Sequence, residues 1–493
     1  MVKTENQQKA IDSASTVTST VAPQSTETVS PEAIEWQPGK SGNGRTAVVV
    51  GGGPAGTLMA LYLAQMNWNV SVYERRDTYV QLLGNSGGVN QSRRSYNIVL
   101  TDRGLTALRQ AGVELPHDKV VVLKGNVRHT NKGTKLSRGF SENVAVNRNV
   151  LAQHLFQEGC DRFPQEISYH FGHRLQTVDF EQRVATFDGK QGITTQSFDL
   201  LVGADGVFSQ VRTAMAETFE GFTCHQNKDN MMFKICQLGQ ASEFSGAGEN
   251  WGDCFHVWPS SQPVTILAPP NPDGSITGVL ILPQEGEITF DKIQTEEDVV
   301  ALFAQKFPDL REGKSLPVEF AQDLLTQKPS YGGITTTCSA LHGSDRAVLV
   351  GDAGHSVWAS LGQGCNVALE SCRVLAETLS NHDGHLSVAL SAYTRDRKPD
   401  TDAIGRLSEA GFGGNKRAGN VLFFTKIIAL SLLNKLLPRL FAKPAIVNLS
   451  KAEIRYSDIE AQSQIQEKQL LAMAIAIASM ILILTIAGKI ITV

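Results

Sequence analysis

The sequence predicts an α/β fold: a doubly wound sheet, an inserted mainly antiparallel β domain, C-terminal helices and a tail-anchor helix. Three observations predict it. A short apolar strand runs into a glycine-rich turn, a β-rich region separates two later apolar strands, and the chain ends in a long uncharged apolar run. With 493 residues, the chain is long enough for two or three domains.

The first predicted element is the strand 46–50 (TAVVV), a fully apolar run typical of a central parallel strand. A glycine turn and a helical stretch at 56–66 follow it, and residues 68–73 (WNVSVY) form a second strand that ends in Glu74. Strand, turn, helix and strand within about thirty residues are the βαβ unit of a doubly wound sheet.

Two more apolar strands lie far along the chain, at 198–202 (FDLLV) and 347–350 (AVLV), and each runs into a Gly/Asp turn. These junctions predict one sheet whose strands are dispersed through the sequence. Residues 221–339 lie between the two strands and contain FHVWP, VTILAPP and ITGVLILP, the last two separated by the turn residues 271–274 (NPDG). This pattern predicts a second, mainly antiparallel layer.

Composition excludes several classes of function. A formal net charge of -4 argues against nucleic-acid binding, which needs a basic face. The seven cysteines are scattered, odd in number and never spaced as CxxC. We therefore expect a reduced, cytosol-facing chain rather than a disulfide framework, and no metal site.

Both ends of the chain are unusual. Residues 1–44 are rich in Ser, Thr, Gln and Glu, which predicts a disordered tail. Residues 470–488 form an uncharged apolar run, and about twenty such residues cross a bilayer as a helix. A buried core helix is the alternative. The interrupted apolar stretch 421–441 predicts an amphipathic helix on the protein or membrane surface.

The turn at 51–56 fits the dinucleotide-binding pattern G-x-G-x-x-G. Gly51 allows the tight turn, Gly53 lets the backbone approach a pyrophosphate, and Gly56 lets the helix pack close to the strand. Pro54 and Ala55 begin the helix, whose N-terminal amides face the phosphates.

Glu74 closes the second strand and can accept both hydroxyls of an adenosine ribose. Arg75, next to it, is expected on the adenine side or in solvent. This motif alone does not separate FAD from NAD.

Two later turns carry a resemblance to a family. Asp205-Gly206 in GADG and Asp352 in GDAGH, together with the first glycine turn, resemble the signature of single-component flavoprotein aromatic hydroxylases. The resemblance implies FAD as cofactor, with Asp352 bonding the ribityl chain. It also implies that the Asp205 turn lies near the pyrophosphate and the approach path of NADPH.

Over roughly residues 45–415 the chain is similar to the kynurenine 3-monooxygenase family. The similarity is carried by RSYN at 94–97, TDRG at 101–104, FHVWP at 255–259 and GQGCN at 362–366. It implies that Arg94 and Arg148 contact FAD, and that Gly362 and Gly364 let the backbone pass close to the flavin ring. Asn366 matches a family asparagine, and the resemblance implies that it binds the substrate and lies beside the flavin.

The chain departs from that family where the substrate's carboxylate is bound. A family tyrosine falls on Glu142, which would repel a carboxylate. The family arginine falls near Asn126, with Arg128 two residues away, and the late tyrosine falls in 410–412, where there is none. We therefore expect hydroxylase chemistry more firmly than kynurenine as the substrate, with Glu142 and Arg128 as candidate substrate residues.

The implied reaction is hydroxylation of an aromatic substrate by O₂ through a flavin C4a-hydroperoxide, with NADPH as the expected reductant. No protein acid or base is nominated; His355 is expected to make a structural hydrogen bond and Trp258 to pack in the β layer. The alternatives are a membrane-associated monooxygenase, reductase or epoxidase of a lipophilic substrate, and a non-catalytic flavoprotein. A halogenase is disfavoured because the chain has WGDCFHVWP in place of WxWxIP.

We expect the apolar C-terminal run to anchor a cytosol-facing catalytic domain to the mitochondrial outer membrane or another organelle membrane. The predicted elements also give the expected domain ranges. The ranges are: a disordered tail at 1–44; a discontinuous FAD-binding domain at 45–120, 148–220 and 340–400; a substrate β-sheet domain at 121–147 and 221–339; a C-terminal helical region at 401–460; and a transmembrane anchor at 470–488.

Overall fold

A computed structural model describes most of the chain beyond the N-terminal region. The described ranges are 42–78, 96–130, 133–138, 143–244, 251–259, 264–307, 309–310, 319–411 and 417–491. The predicted tail at 1–44 therefore lies almost wholly outside the described residues, as do the two candidate site residues Arg94 and Glu142.

Eleven α-helices have both ends within these ranges. They are α1 (Pro54–Gln65), α2 (Asp102–Gln110), α3 (Arg148–Arg162), α4 (Gln210–Thr218), α5 (Glu296–Lys306), α6 (Phe320–Thr326), α7 (Asp352–His355), α8 (Gly364–Asn381), α9 (Leu386–Ala410), α10 (Arg417–Leu436) and α11 (Tyr456–Ile491).

The strands of the described residues are β1 (Thr46–Val50), β2 (Asn69–Glu74), β3 (Asn97–Leu100), β4 (Val120–Val122), β5 (Gly125–Thr130), β6 (Gly133–Arg138), β7 (Val144–Asn147), β8 (Ile167–Phe171), β9 (His173–Asp179), β10 (Val184–Gly189), β11 (Gly192–Ser197), β12 (Leu200–Gly203), β13 (Cys224–Lys228), β14 (Met231–Gln240), β15 (Cys254–Pro259), β16 (Thr265–Ala268), β17 (Ser275–Pro283), β18 (Ser330–Tyr331), β19 (Ile334–Cys338), β20 (His342–Gly343) and β21 (Ala347–Leu349).

The first large sheet has six strands in the order β20-β21-β12-β1-β2-β8. Its strands are parallel except for β20, which runs antiparallel to β21. The predicted strands β1, β12 and β21 lie side by side, so the three strand-to-turn junctions meet at one edge of the sheet. This confirms that strands dispersed through the sequence form one parallel sheet.

The second large sheet has seven strands in the order β18-β14-β17-β16-β15-β5-β6. Its pairings are antiparallel except for β15 with β5. The three segments expected in an antiparallel layer form β15, β16 and β17, which confirms that layer. Helices α5 and α6 cover one face, where Trp258, Leu280 and Phe303 are buried in one core.

Smaller sheets join these two. Strands β3, β7 and β4 form a three-stranded sheet, β9 to β11 form a meander, and β13 and β19 form a two-stranded ribbon. The chain leaves the six-stranded sheet through β13 and returns to it through β19, so this ribbon connects the two large sheets.

One expectation about the cysteines is wrong. Cys224 and Cys338 are directly opposed in the β13–β19 ribbon and form a disulfide, with their Cα atoms 4.2 Å apart. Their 114-residue separation gave no local signal, whereas the antiparallel register brings the two side chains together.

The C-terminal region packs on the parallel-sheet domain through α8 and α9. Helix α9 runs through the predicted boundary at residue 400. Helix α10 ends two residues before Pro438, in agreement with the predicted surface helix. The apolar part of α11 is long enough to cross a membrane, and its most apolar stretch is entirely exposed.

Candidate FAD site

The glycines of the turn after β1 differ in the space around them. A Cβ on Gly51, where φ is +106°, would lie 2.4 Å from the Ala204 carbonyl oxygen, and one on Gly56 would lie 1.9 Å from the Gly51 oxygen. Gly53 differs, because a Cβ there would meet no atom within 4 Å. Two glycines are thus required by packing, whereas the third borders open space of the kind a diphosphate needs.

Glu74 holds this turn from the end of β2. One carboxylate oxygen accepts a hydrogen bond from the Gly52 amide at 2.8 Å, and the other accepts one from the Arg76 amide at 2.9 Å. Each oxygen keeps a free lone pair, so the predicted contact with a ribose fits this geometry. Arg75 is exposed, as expected of a solvated residue.

The Asp205 turn follows β12, beside the first glycine turn. Asp205 accepts hydrogen bonds from the Ser209 hydroxyl at 2.5 Å and the Gln210 amide at 2.6 Å, so its carboxylate caps α4. Gly206, with φ of +82°, has no atom within 4 Å of a built Cβ. The side chain of Asp205 is therefore used inside the protein, and Gly206 supplies the bare backbone of this turn.

Arg212 ties the two aspartate turns together. Its guanidinium is buried and donates to the Val207 carbonyl at 2.7 Å and to the Ala353 carbonyl at 2.6 Å. Val207 belongs to the Asp205 turn and Ala353 to α7, so one side chain fixes their spacing. Burial lowers the pKa of Arg212, and Asp205 opposes that shift.

Asp352 is the first residue of α7, directly after Gly351. A Cβ on Gly351 would lie 3.2 Å from the Cβ of Ala55, so this turn packs against the start of α1. Burial raises the pKa of the Asp352 carboxyl, and Arg148 opposes the shift. Within the described ranges no hydrogen bond to this carboxylate is found, which leaves its oxygens available to sugar hydroxyls.

Arg148 is the first residue of α3, as the sequence predicted. Burial lowers its pKa, but Tyr96, Asp352, Cys365 and Glu74 outweigh burial and raise the pKa above its ordinary value. Its guanidinium is therefore close enough to act on both carboxylates of the predicted FAD site. The groups that act on Arg148 therefore bring together the end of β2, α7 and the start of α8 at the predicted FAD site.

The segment before α8 is expected to pass along the flavin ring. Gly362 has φ of +64° and no atom within 4 Å of a built Cβ, and Gly364 has only Val357 at 3.8 Å. Asn366 is fully buried; its oxygen accepts from the Thr101 amide at 2.8 Å and its nitrogen donates to the Val99 carbonyl at 2.9 Å.

Asn366 thus clamps the glycine segment to β3. Its amide group also lies 3.3 Å from the Gly362 carbonyl, which uses the second donor. The geometry favours a structural role for this residue, and its contacts with substrate and cofactor stay predictions.

A face of the seven-stranded sheet lies across β3 from the glycine segment. The Tyr96 ring meets the Phe233 ring edge to face at 6.1 Å, and the Asn97 amide donates to the Pro270 carbonyl at 2.8 Å. The half-buried apolar residues that the strand registers place on this face are Phe233, Phe255, Val257, Leu267, Val279 and Ile281.

Arg128 lies on the same face, level with Val257 of the neighbouring strand. It is exposed, and no ion pair or hydrogen bond to it is found among the residues that the structure describes. Asn126 points to that face too, because side chains two residues apart on a strand share a side. A substrate contact for Arg128 and for Glu142 stays a prediction.

The sequence predicts a structural role for His355 and for Trp258. Both ring nitrogens of buried His355 lack a hydrogen-bond partner among the described residues, so the expected hydrogen bond is not found. Burial lowers its pKa to about 3, which makes it neutral and a poor base. Trp258 is buried in the β layer as predicted, stacked on His129 at 3.9 Å.

The chain matches known proteins over most of its length. Residues 45–406 match the family model described as an FAD binding domain. A kynurenine 3-monooxygenase from Salinispora arenicola (strain CNS-205) is 32% identical over 432 residues, covering 85% of this chain and 91% of the relative. Another, from Stenotrophomonas maltophilia (strain K279a), is 33% identical over 383 residues, covering 74% and 78%.

Solved structures share the fold. The tetrameric form of 2-methyl-3-hydroxypyridine-5-carboxylic acid oxygenase superposes with a TM-score of 0.60 at 22% identity, over 80% of this chain and 96% of that one. PqsL, a probable FAD-dependent monooxygenase from Pseudomonas aeruginosa, gives 0.57 at 18% identity, over 78% and 100%.

The fold is that of a flavoprotein, with a parallel sheet, glycine turns that border open space, and two carboxylates, Glu74 and Asp352, that interact with Arg148. Together with the comparisons, these features show that the chain belongs to the FAD-binding monooxygenase family and is an FAD-dependent enzyme of that family. The parallel sheet and the antiparallel sheets have the arrangement seen in the flavin monooxygenases above.

Sequence reasoning missed three residues of this site. Tyr96 and Cys365 adjoin Arg148 and Asp352, and Arg212 bridges the two aspartate turns. A signal existed for Arg212, which follows the Asp205-Gly206 pair on the next helix. Tyr96 and Cys365 lie in the RSYN and GQGCN segments that carry the resemblance, but the sequence gives neither a role, because only the packing of β3 against α8 brings them together.

Proposed function

We propose that this enzyme uses FAD and NADPH to hydroxylate an aromatic substrate with O₂. The observation that carries the proposal is the contrast among the glycines. Gly51 and Gly56 are packed against backbone, whereas Gly53, Gly206 and Gly362 border open space, and Arg148 interacts with the carboxylates of Asp352 and Glu74. A dinucleotide with a sugar chain and a flat ring system suits that arrangement.

Each group of residues at the predicted FAD site has a distinct task in this proposal. The bare turns at Gly53 and Gly206 would receive the diphosphate, Glu74 the adenosine ribose, and Asp352 the ribityl hydroxyls. Arg148 supplies positive charge between the two carboxylates. The bound flavin supplies hydride acceptance and oxygen activation, while the protein orients the substrate and excludes water.

The substrate would lie between the glycine segment at Gly362 and the apolar face of the seven-stranded sheet. The names of the relatives make kynurenine the first compound to test. Arg128 is the described cation on that face and would receive an acidic group of the substrate.

A lipophilic substrate is the second candidate, and two observations favour it. The six half-buried residues of the sheet face are apolar, and the apolar part of α11 is exposed along its length. We propose that α11 anchors the enzyme in an organelle membrane such as the mitochondrial outer membrane, with the FAD domain in the cytosol. The anchor would hold the substrate site near lipid.

The test uses the full chain purified in detergent. NADPH oxidation is followed with kynurenine, with other aromatic acids and with lipophilic phenols, and the products are identified by mass spectrometry. We expect one class to accelerate NADPH oxidation and to gain one oxygen atom. Yellow protein that no compound stimulates would favour a non-catalytic flavoprotein, and a product only from the lipophilic set would favour the second candidate.

A further inference from the structure

The β13–β19 ribbon joins the two halves of the molecule. Both strands cross between the six-stranded and the seven-stranded sheet, one in each direction. The disulfide between Cys224 and Cys338 closes the end of this ribbon that is nearer the FAD domain. A covalent bond therefore links the outgoing and the returning chain where they leave the parallel sheet.

The ribbon also touches both aspartate turns. Gln226 on β13 donates to the Val207 carbonyl of the Asp205 turn at 2.9 Å and to the Thr336 hydroxyl at 3.0 Å. Thr336 on β19 donates its amide to the Ser356 carbonyl, directly after α7, at 2.9 Å.

Cys338 contacts α7 itself, since its sulfur lies 3.5 Å from the Gly354 carbonyl oxygen. A thiol at this position has a proton to donate to that oxygen, whereas a disulfide sulfur has none. The bonding state of Cys338 therefore changes a contact two residues from Asp352.

The other cysteines are poor competitors for oxidation. Burial raises the pKa of the Cys365 thiol to about 12 and that of Cys254 to about 11. Cys236 and Cys372 are buried as well, and burial also raises the pKa of Cys160. Because the thiolate is the reactive form, burial and the raised pKa values disfavour the oxidation of these free thiols.

We propose that Cys224 and Cys338 are a reversible thiol–disulfide site, oxidised by a peroxide and reduced by a dithiol, whose state sets how firmly the two FAD-binding turns are held. Cys224 is half-buried and Cys338 is only 2% exposed. The reactant therefore meets Cys224, and Cys338 completes the exchange from inside the ribbon.

The chemistry balances with those two reactants. The Cys224 thiol loses its proton, its thiolate attacks one oxygen of hydrogen peroxide, and the O–O bond breaks. A sulfenic acid forms, and the leaving hydroxide takes up the proton to become water. The Cys338 thiol then attacks that sulfur, which forms the S–S bond and releases a second water. In the reverse direction one thiol of the dithiol attacks the Cys224 sulfur, the S–S bond breaks, and Cys338 leaves as a thiol. The second thiol of the reductant then attacks this mixed disulfide, so that Cys224 also leaves as a thiol and the reductant becomes a disulfide.

A source of peroxide lies close by if the proposed function holds. A flavin monooxygenase that reduces O₂ without hydroxylating its substrate releases hydrogen peroxide. Only this source rests on the proposed function; the thiol chemistry and the contacts with the turns do not. The enzyme's unproductive turnover would then oxidise its own ribbon.

The first experiment counts thiols in the full-length protein. Samples are treated with dithiothreitol or with hydrogen peroxide, denatured, labelled with a maleimide and weighed intact. We expect seven labels after reduction and five after peroxide, because five of the seven cysteines are free. The Cys224→Ser variant should carry six labels in both states, and the control Cys160→Ser should still lose two labels on oxidation.

Two outcomes of this count would overturn the site. In one, wild type keeps seven labels after peroxide, so no disulfide forms. In the other, Cys224→Ser loses as many labels as wild type, so the oxidation occurs at other cysteines.

The second experiment measures FAD release by flavin fluorescence after dilution. We expect several-fold faster release from the reduced protein than from the oxidised one, because the ribbon that braces both turns opens more readily without its cross-link. Cys224→Ser should release FAD at the reduced rate in both conditions. Equal rates in the two states, with thiol counts that do switch, would overturn the link to the cofactor turns. Protein that binds no FAD at all would instead count against the proposed function.

Discussion

Tyr456, the first residue of the C-terminal helix, donates a hydrogen bond to the side-chain oxygen of Gln363 at 3.0 Å. Gln363 lies between Gly362 and Gly364, so this bond joins the root of α11 to the segment expected at the flavin ring. The Arg103 guanidinium covers the Tyr456 ring at 3.7 Å and fixes its position. All of this contact is buried, so α11 is part of the enzyme's folded body before its apolar part begins.

We expect Tyr456→Phe to lower the yield of hydroxylated product per NADPH consumed. The variant keeps the packed ring but frees Gln363, and loss of one hydrogen bond of about 1 kcal/mol lets the glycine segment move. The measurement is the ratio of product formed to NADPH consumed, with hydrogen peroxide assayed in parallel. The control is Tyr393→Phe, which also removes a buried tyrosine hydroxyl but one with no described hydrogen bond to the glycine segment. Equal ratios in both variants would contradict a positioning role for Tyr456.

We expect Gly53→Val to fold normally and to lose FAD. The Gly53 backbone is extended and no atom lies within 4 Å of its built Cβ, so the new side chain would occupy the space left for the diphosphate. The visible absorption of the purified protein and its melting temperature are measured together. A normally yellow variant would refute the placement of the cofactor.

Gly56→Ala is the contrasting change in the same turn. Its Cβ would lie 1.9 Å from the Gly51 carbonyl oxygen, so we expect a lower yield of folded protein whether or not FAD is present. A change of Gly405 to Ala on α9 serves as the tolerated control, because a built Cβ there meets no atom within 4 Å.

The parts predicted from sequence share one property, which is that their signals are local. The glycine turn, the strand before it and Glu74 lie within one βαβ unit, where residue spacing dictates geometry. The burial of Asn366 depends on β3, a segment distant in sequence that supplies its partners Thr101 and Val99. The pairing of Cys224 with Cys338 depends on the register of two strands 114 residues apart, which no spacing rule reports.

A buried ionic cluster should dominate the stability of the C-terminal region. The Glu370 carboxylate accepts from Arg103 and from Arg397 at 2.7 Å each, and all three side chains are buried. We expect Glu370→Gln to cost about 3–5 kcal/mol of unfolding free energy, because two guanidinium groups lose their shared counter-charge. Denaturant unfolding of the two proteins gives the difference.

The matched control for that cluster is the exposed pair of Arg395 and Asp396. We expect Arg395→Ala to leave the unfolding midpoint unchanged, since exposed ion pairs contribute little. A small effect of Glu370→Gln, comparable to that of the control, would contradict the assigned role of the cluster.

Two buried histidines should make the protein sensitive to acid. Burial lowers the pKa of His256 to about 4, with His129 adding to the shift, while the Trp251 carbonyl and Asp309 oppose it. Burial, assisted by Arg397 and opposed by Glu370, lowers the pKa of His355 to about 3.

The direction of the pH effect on stability follows from proton uptake by the unfolded chain. Unfolded histidines titrate near 6.5, so between that pH and about 4 the unfolded chain binds protons that the folded chain does not. Stability is therefore complete above pH 6.5 and falls as the pH is lowered, by about 2 kcal/mol per histidine at pH 5.

His355→Leu tests this sign. We expect the variant to lose less stability than wild type between pH 7.5 and pH 5, because His355 makes no described hydrogen bond that leucine would break. Melting temperatures at the two pH values give the comparison, with exposed His117→Ala as control. A loss in His355→Leu equal to that of wild type would exclude His355 as a source of the acid sensitivity.

Helix α11 has a first part that packs on the protein and a second, apolar part that is exposed. Gln466 is buried, accepts from the Ala445 amide at 3.0 Å and donates to the Lys443 carbonyl at 2.7 Å, whereas large apolar residues from Ile475 to Ile486 are exposed. We therefore expect a chain ending at residue 469 to keep its FAD and melting temperature and to purify without detergent. A chain ending at residue 462 should melt at a lower temperature, because it loses the Gln466 contacts that hold the 443–445 segment. A full-length protein that is recovered without detergent from the soluble fraction of its cells would contradict the membrane anchor, since an exposed apolar helix of this length partitions into lipid.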